Sequence, residues 1–250
     1  MTPVVFVHGF MGGSRQWTAL TASLRGTVDV IAVDLPGFGE NADLEAPDSI
    51  AGFARWVIDA LSAQGIHRFH LLGHSMGGMI AQEIAATVPD RVSRLVLYGT
   101  GATGVLPGRF ETIETSKWRA QSDGPRKTAR RIAATWFLDR EASPAFEDCA
   151  AIAERSSLQA ITAGLDAMQS WCGVSNLASI KAATLVVWGD HDRTYPWRQT
   201  EQLWMSIRNS GLAVLPNCAH AAHLEKPEIF NGILRDFMTA EVAQPQPVGG

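Results

Sequence analysis

Apolar residues follow two alternating rhythms along this chain. Predominantly apolar runs at residues 4–7, 28–33, 69–72, 92–98, 185–188 and 212–215 are short and mostly rich in β-branched residues, as expected of buried parallel strands. Between the runs, apolar residues recur three or four apart. Trp17, Leu20 and Leu24 do so first, followed by Ile50, Phe53, Val57, Ile58 and Leu61. The same spacing predicts a helix at 76–87 that stops before Pro89, an amphipathic segment around Leu203, and a last helix opened by Pro227. Strands alternating with helices predict an α/β protein: a mostly parallel sheet covered by helices on both faces.

The alternation lapses between 103 and 179, where only helical spacing is visible, as in Leu158, Ile161, Leu165 and Met168. This stretch reads as a helical lid inserted into one core domain made of residues 1–102 and 180–240. Residues 241–250 are rich in Pro, Gln and Gly, bury little, and are expected to be disordered.

Composition narrows the picture. With 46% hydrophobic residues over 250 positions the chain can bury a large core. Its 21 Lys and Arg against 25 Asp and Glu leave a net charge of −4, with no positive excess to hold nucleic acid. The first residues lack a basic leader, and no apolar run is long enough for a signal peptide or a membrane span, so a soluble, cytoplasmic protein is expected. Cys149, Cys172 and Cys218 are three and far apart, which fits small core residues in a reducing compartment. His8, His191, His220 and His223 stand at no H-x-x-x-H or H-E-x-x-H spacing, so neither a metal nor another cofactor is expected.

One segment carries a chemical signature. Gly73-His74-Ser75-Met76-Gly77 matches G-x-S-x-G between a predicted strand and a predicted helix. There the glycines permit a tight turn that lifts Ser75 over the sheet edge, at the positive end of a helix. An ordinary N-cap serine is the plainer alternative. A dinucleotide-binding loop is excluded, because Ser75 occupies the place of that fingerprint's second glycine.

With these motifs the chain resembles the α/β-hydrolase superfamily, from His8-Gly9 to about Phe237. The resemblance implies Ser75 as nucleophile, an acid after a later strand, and a histidine near the C-terminus. Gly189-Asp190-His191-Asp192 points to Asp192, with Asp190 as competitor. His220, five residues before Glu225, is chosen over His223 as general base. The amides of Phe10 and Met76 are implied as the oxyanion hole. Ser75 excludes the epoxide hydrolases and haloalkane dehalogenases of the superfamily, which use Asp at that position. The expected activity is hydrolysis of a small, fairly apolar ester or lactone. Hydrolysis of a carbon–carbon bond in ring-fission products is the alternative, and a ligand sensor on the same fold is another.

Trp136, Met168 and Trp171 are the candidate substrate-binding residues of the lid, beside Phe110, Trp118, Phe137 and Phe146, although core packing explains such residues equally well. The basic residues Lys117, Arg119, Arg126, Lys127, Arg130 and Arg131 read as a solvated helix face rather than an anion funnel. Relatives usually carry one or two strands before the His-Gly strand. Without them, 28–33 becomes an outer strand with little charge, expected to pair with a second copy in a homodimer or to be covered by the tail.

Overall fold

The computed structural model describes residues 2–105 and 111–240. Phe110 and the expected disordered tail at 241–250 lie outside the described residues. Six strands form one parallel sheet: β1 (Val4–Val7), β2 (Val30–Val33), β3 (Phe69–His74), β4 (Val92–Tyr98), β5 (Ala183–Gly189) and β6 (Ser210–Leu215), in the order β2-β1-β3-β4-β5-β6. β2 is an outer strand, as expected of 28–33. β6 begins two residues before its apolar run, because Ser210 and Gly211 pair in register with Thr184 and Leu185.

The predominantly apolar runs follow from burial on both faces. Val5, Val7, Leu71, Leu95, Leu97 and Val186 point to one side, and Val4, Phe6, Leu72, Val96, Tyr98, Leu185 and Val187 to the other, the period-two alternation of a strand. Helices α1 (Thr18–Leu24) and, at the end of the chain, Pro227–Thr239 cover the second side. α2 (Ile50–Ala63) and α3 (Met76–Thr87) cover the first. Ser49 caps α2 by accepting the Gly52 amide, so that helix starts where its apolar stripe does.

Four helices follow β4: α4 (Ile113–Asp123), α5 (Pro125–Ala134), α6 (Phe146–Ala153) and α7 (Leu158–Ser170). Thr112 and Ser157 cap α4 and α7, and Pro125 opens α5. The six basic residues singled out in the sequence are all in ion pairs: Lys117 with Asp166, Arg119 and Arg131 with Glu111, Arg126 with Glu154, Lys127 with Asp123, and Arg130 with both Glu147 and Glu154. They tie cap helices to one another. The cap is rooted by an antiparallel bridge between Thr103 and Cys172, with Gly104 N–H donating to Trp171 and Gly173 N–H to Ala102. Beyond that bridge the short helical turn Val174–Ser179 returns to the core, where Leu177 is buried.

α8 (Trp197–Ser206), α9 (Ala222–Glu225) and α10 (Pro227–Thr239) complete the chain. No helix among the described residues is long and apolar enough to cross a membrane. Cys149 and Cys218 are buried as expected, but Cys172 is exposed because the bridge lies at the cap's outer root.

Backbone packs closely against backbone where α3 starts. A Cβ on Gly77 would sit 2.3 Å from the Val7 carbonyl oxygen, and one on Gly73 would sit 2.2 Å from that of Gly77. Both obstacles are backbone, so neither can swing aside. Gly73→Ala and Gly77→Ala are each expected to destabilise the fold by about 3 kcal/mol or more, or to prevent folding. Urea unfolding and soluble yield check this, with Gly26→Ala, whose Cβ meets nothing within 4 Å, as the tolerant comparison apart from the strain of its positive φ.

Candidate active site

Ser75 sits on the turn between β3 and α3 with φ 57° and ψ −121°, a conformation that L-residues rarely adopt. Hydrogen bonds from three directions hold it. Its amide donates to the Tyr98 carbonyl at 3.0 Å, and its own carbonyl accepts from the Thr100 hydroxyl at 2.7 Å and the Gly78 amide at 2.9 Å. The serine thus takes a strained backbone because the adjoining ends of β4 and α3 over-determine it.

His220 lies on the loop between β6 and α9, and Asp192 on the loop after β5. Their side chains are buried and meet at 2.8 Å, His220 Nδ1 to Asp192 Oδ2. The other carboxylate oxygen accepts the amides of Thr194 and Tyr195 at 2.7 and 3.1 Å, which fixes the acid's orientation. A negative charge at Oδ2 requires the proton on Nδ1, leaving Nε2 as the basic nitrogen. The Tyr195 ring stacks on His220 at 5.6 Å. Positive φ at Gly99 (51°) lets the chain pass close by, since a Cβ there would lie 3.2 Å from His220 Nδ1.

The competitors fall elsewhere. Asp190 accepts the Cys218 amide at 3.4 Å and faces His191 at 3.8 Å. His223 turns its Nδ1 to the Tyr98 hydroxyl at 3.1 Å. His8 donates from Nδ1 to the Gly9 carbonyl and accepts the Leu35 amide on Nε2, which joins its loop to the one after β2. One H-x-x-x-H spacing does occur, at His70 and His74, but both lie in β3, where four residues span about 13 Å, too far apart for one metal. Among the described residues no group of three or more His, Cys, Asp or Glu is gathered for a metal.

Ser75 and His220 open onto one pocket of about 30 Å³, lined also by Phe10, Ile113, Ile132, Trp136, Met168 and Tyr195. No described residue lining it is Lys, Arg, Asp or Glu. The space is close to the share of a single water. Ser75 Oγ makes no hydrogen bond to His220 here; such contacts tighten in the Michaelis complex. Gly9 packs against the serine, where a Cβ would lie 2.8 Å from Ser75 Cβ, so the Phe10 amide follows directly on that contact. Met76 is the first residue of α3, whose amide has no acceptor within the helix. Among the described residues neither amide donates in a loop or cap hydrogen bond.

Trp136 and Met168 are thus brought to the serine, and Trp171 is not. Its indole N–H points to Glu83 of α3 at 3.2 Å, because the Thr103–Cys172 bridge turns that end of α7 toward the core. A larger cavity of about 380 Å³ lies among Gly13, Asp34, Glu40 and α6, away from Ser75 and His220. Sequence reasoning missed Tyr195 and Ile132, whose residue types are as common in ordinary cores as in pockets.

This geometry agrees with the comparisons with known proteins. The sequence profile described as the alpha/beta hydrolase family matches residues 4–233. The chain belongs to the alpha/beta hydrolase family. A Pseudomonas savastanoi pv. phaseolicola protein with the provisional name carbamate hydrolase RutD is 28% identical over 244 residues, covering 95% of this chain and 94% of that one. The 2-hydroxy-6-oxo-6-phenylhexa-2,4-dienoate hydrolase of Comamonas testosteroni is 30% identical over 250 residues, covering 94% and 87%. Among solved structures, a thermophilic esterase from Thermogutta terrifontis, with malate bound, superposes with a TM-score of 0.86 at 25% identity, covering 95% and 89%.

Behind the site, burial holds three histidines neutral. His223 is pushed down to about 3, His74 well below its ordinary value and His8 below it, desolvation being the largest cause in each; the nearby His220 lowers His74 and His223 further. Unfolding exposes them to water, where they titrate near 6.5, so below that pH the unfolded chain binds more protons than the fold. Stability is therefore present above about pH 6.5 and is lost as pH falls toward the folded values. We expect uptake of about two to three protons on unfolding at pH 5, and a fall of about 1.4 kcal/mol per pH unit for each histidine that stays neutral in the fold. Urea unfolding between pH 5 and 7 checks this, with one proton fewer expected in His223→Asn.

Proposed function

We propose that the protein hydrolyses a small, uncharged, fairly apolar carboxylic ester or lactone through an acyl-enzyme on Ser75. Ester hydrolysis is the activity in the name of its structural relative from Thermogutta terrifontis. The observation that carries the finer reading is the buried His220–Asp192 pair, whose histidine opens with Ser75 onto a pocket with no Lys, Arg, Asp or Glu among its described lining residues.

In this mechanism His220 Nε2 takes the hydroxyl proton as Ser75 Oγ attacks the carbonyl carbon, and Asp192 keeps the ring in the required tautomer and stabilises the imidazolium. The amides of Phe10 and Met76 donate to the tetrahedral oxyanion, and the N-terminus of α3 adds its dipole. His220 returns the proton to the leaving alkoxide. Water, deprotonated by the same nitrogen, then attacks the acyl carbon and releases the acid and Ser75. Trp136, Met168, Ile113 and Ile132 would enclose the acyl group, with the cap serving as a lid.

A second reading, carbon–carbon bond hydrolysis, is favoured by the 30% identity to the dienoate hydrolase. Dienoates are anions, and a cation would be expected to face their carboxylate. No described residue of the pocket supplies one, so the ester reading is preferred.

A fluorophosphonate probe is expected to label the wild-type protein and not Ser75→Ala. Multiple turnover of p-nitrophenyl acetate should fall on the order of 10⁴-fold or more in Ser75→Ala and His220→Ala. Folded protein that neither labels nor turns over, or faster turnover of a ring-fission dienoate than of any ester or lactone, would overturn this reading.

A further inference from the structure

The turn at 136–138, which joins the cap to the pocket, makes four hydrogen bonds to the segments that follow Asp192 and His220. The Trp136 carbonyl accepts the amide of Ala221, the residue after His220, at 2.8 Å. The Phe137 and Leu138 carbonyls accept the two guanidinium nitrogens of Arg193, the residue after Asp192, at 3.2 and 3.3 Å. Glu225 divides its carboxylate, taking the Leu138 amide on Oε1 at 2.7 Å and the Ala219 amide, just before His220, on Oε2 at 2.6 Å. Apolar packing runs the same way, since Phe137, Phe146 and Cys149 share a cluster with Ala221.

We propose that Glu225 and Arg193 are positioning residues that make the 136–138 turn a fixed wall of the acyl pocket, so that Trp136 limits acyl length from a position locked to the catalytic loops. Only a carboxylate at 225 offers an acceptor to each of two separate amides; glutamine keeps one acceptor and presents a donor to the other. Only a guanidinium at 193 reaches two successive carbonyls with a rigid fork. The wall is thereby set independently of the ion pairs that tie the cap helices together. This inference rests on the Ser75 hydrolase reading and assigns the part of that site which selects substrate size.

The test measures kcat/KM for p-nitrophenyl acetate, butyrate and hexanoate in the wild-type protein, Trp136→Ala, Glu225→Gln, Arg193→Ala and the double variant Glu225→Gln/Trp136→Ala, with Ser75→Ala alongside. Trp136→Ala is expected to raise the hexanoate-to-acetate ratio about tenfold or more, and Glu225→Gln and Arg193→Ala about threefold or more. In the double variant, Glu225→Gln should add nothing to the ratio already raised by Trp136→Ala. Arg193 lies at the surface, so its variant keeps the test available if Glu225→Gln does not fold. A merely structural role would lower all three esters by one factor and leave the ratio unchanged, which would overturn the proposal, as would full additivity in the double variant. Hydrolysis that survives in Ser75→Ala would instead overturn the underlying reading.

Discussion

The site depends on how closely the start of α3 approaches β1. At Gly77 the helix backbone comes so near the end of β1 that no side chain fits between them, and Gly73 leaves the space in which the chain reverses. A strand can pass into a helix that tightly only through a residue of positive φ, and that residue is Ser75. The strain is local, whereas the forces that offset it are distributed over the sheet and over the bonds from Tyr98, Thr100 and Gly78. The same compression aims the hydroxyl at the pocket and leaves the Met76 amide free to meet an anion.

The surroundings of His220 are polar in composition and neutral in effect. His74 stacks between Tyr98 and His220 and bonds the His220 carbonyl, which also accepts the Tyr98 hydroxyl. Burial keeps these neighbours uncharged, so the carboxylate that faces the His220 ring directly among the described residues is that of Asp192. In the cap, Lys117, Arg119, Arg126, Lys127, Arg130 and Arg131 are likewise matched by carboxylates of the cap itself. On the proposed mechanism, a transition state on Ser75 would meet oriented dipoles and one buried acid, an arrangement that needs little reorganisation during the reaction.

Much of this was legible in the sequence, and the exceptions have physical causes. Strands covered on both faces are predominantly apolar, so the sheet declared itself, and 28–33 carried the same signal as an outer strand. Ser210 and Gly211 escaped because backbone pairing, not side-chain burial, recruits them into β6. The turn around Ser75 was readable because close packing leaves glycines behind. Asp192 and Asp190 are the same residue type in one turn, and residue chemistry alone does not separate them; the fold does, by sending one carboxylate to His220 and the other to the Cys218 amide. Trp171 looked like Trp136, but the bridge at the cap's root turned it toward Glu83. The links from Glu225 and Arg193 to 136–138 end on backbone atoms, which carry no side-chain signature for a sequence to display.

The bridge between Thr103 and Cys172 has an architectural consequence. Because the two roots of the cap meet there, everything between them is, to the sheet, a closed excursion whose ends already touch. The entropic cost of such a loop grows only with the logarithm of its length. The cap is therefore a replaceable module: helices can be lengthened, lost or exchanged above that junction while the strands keep their register. Its bonds to the loops of Asp192 and His220 are what a substituted module would have to reproduce, and they mark where change in substrate range is bound to the machinery below.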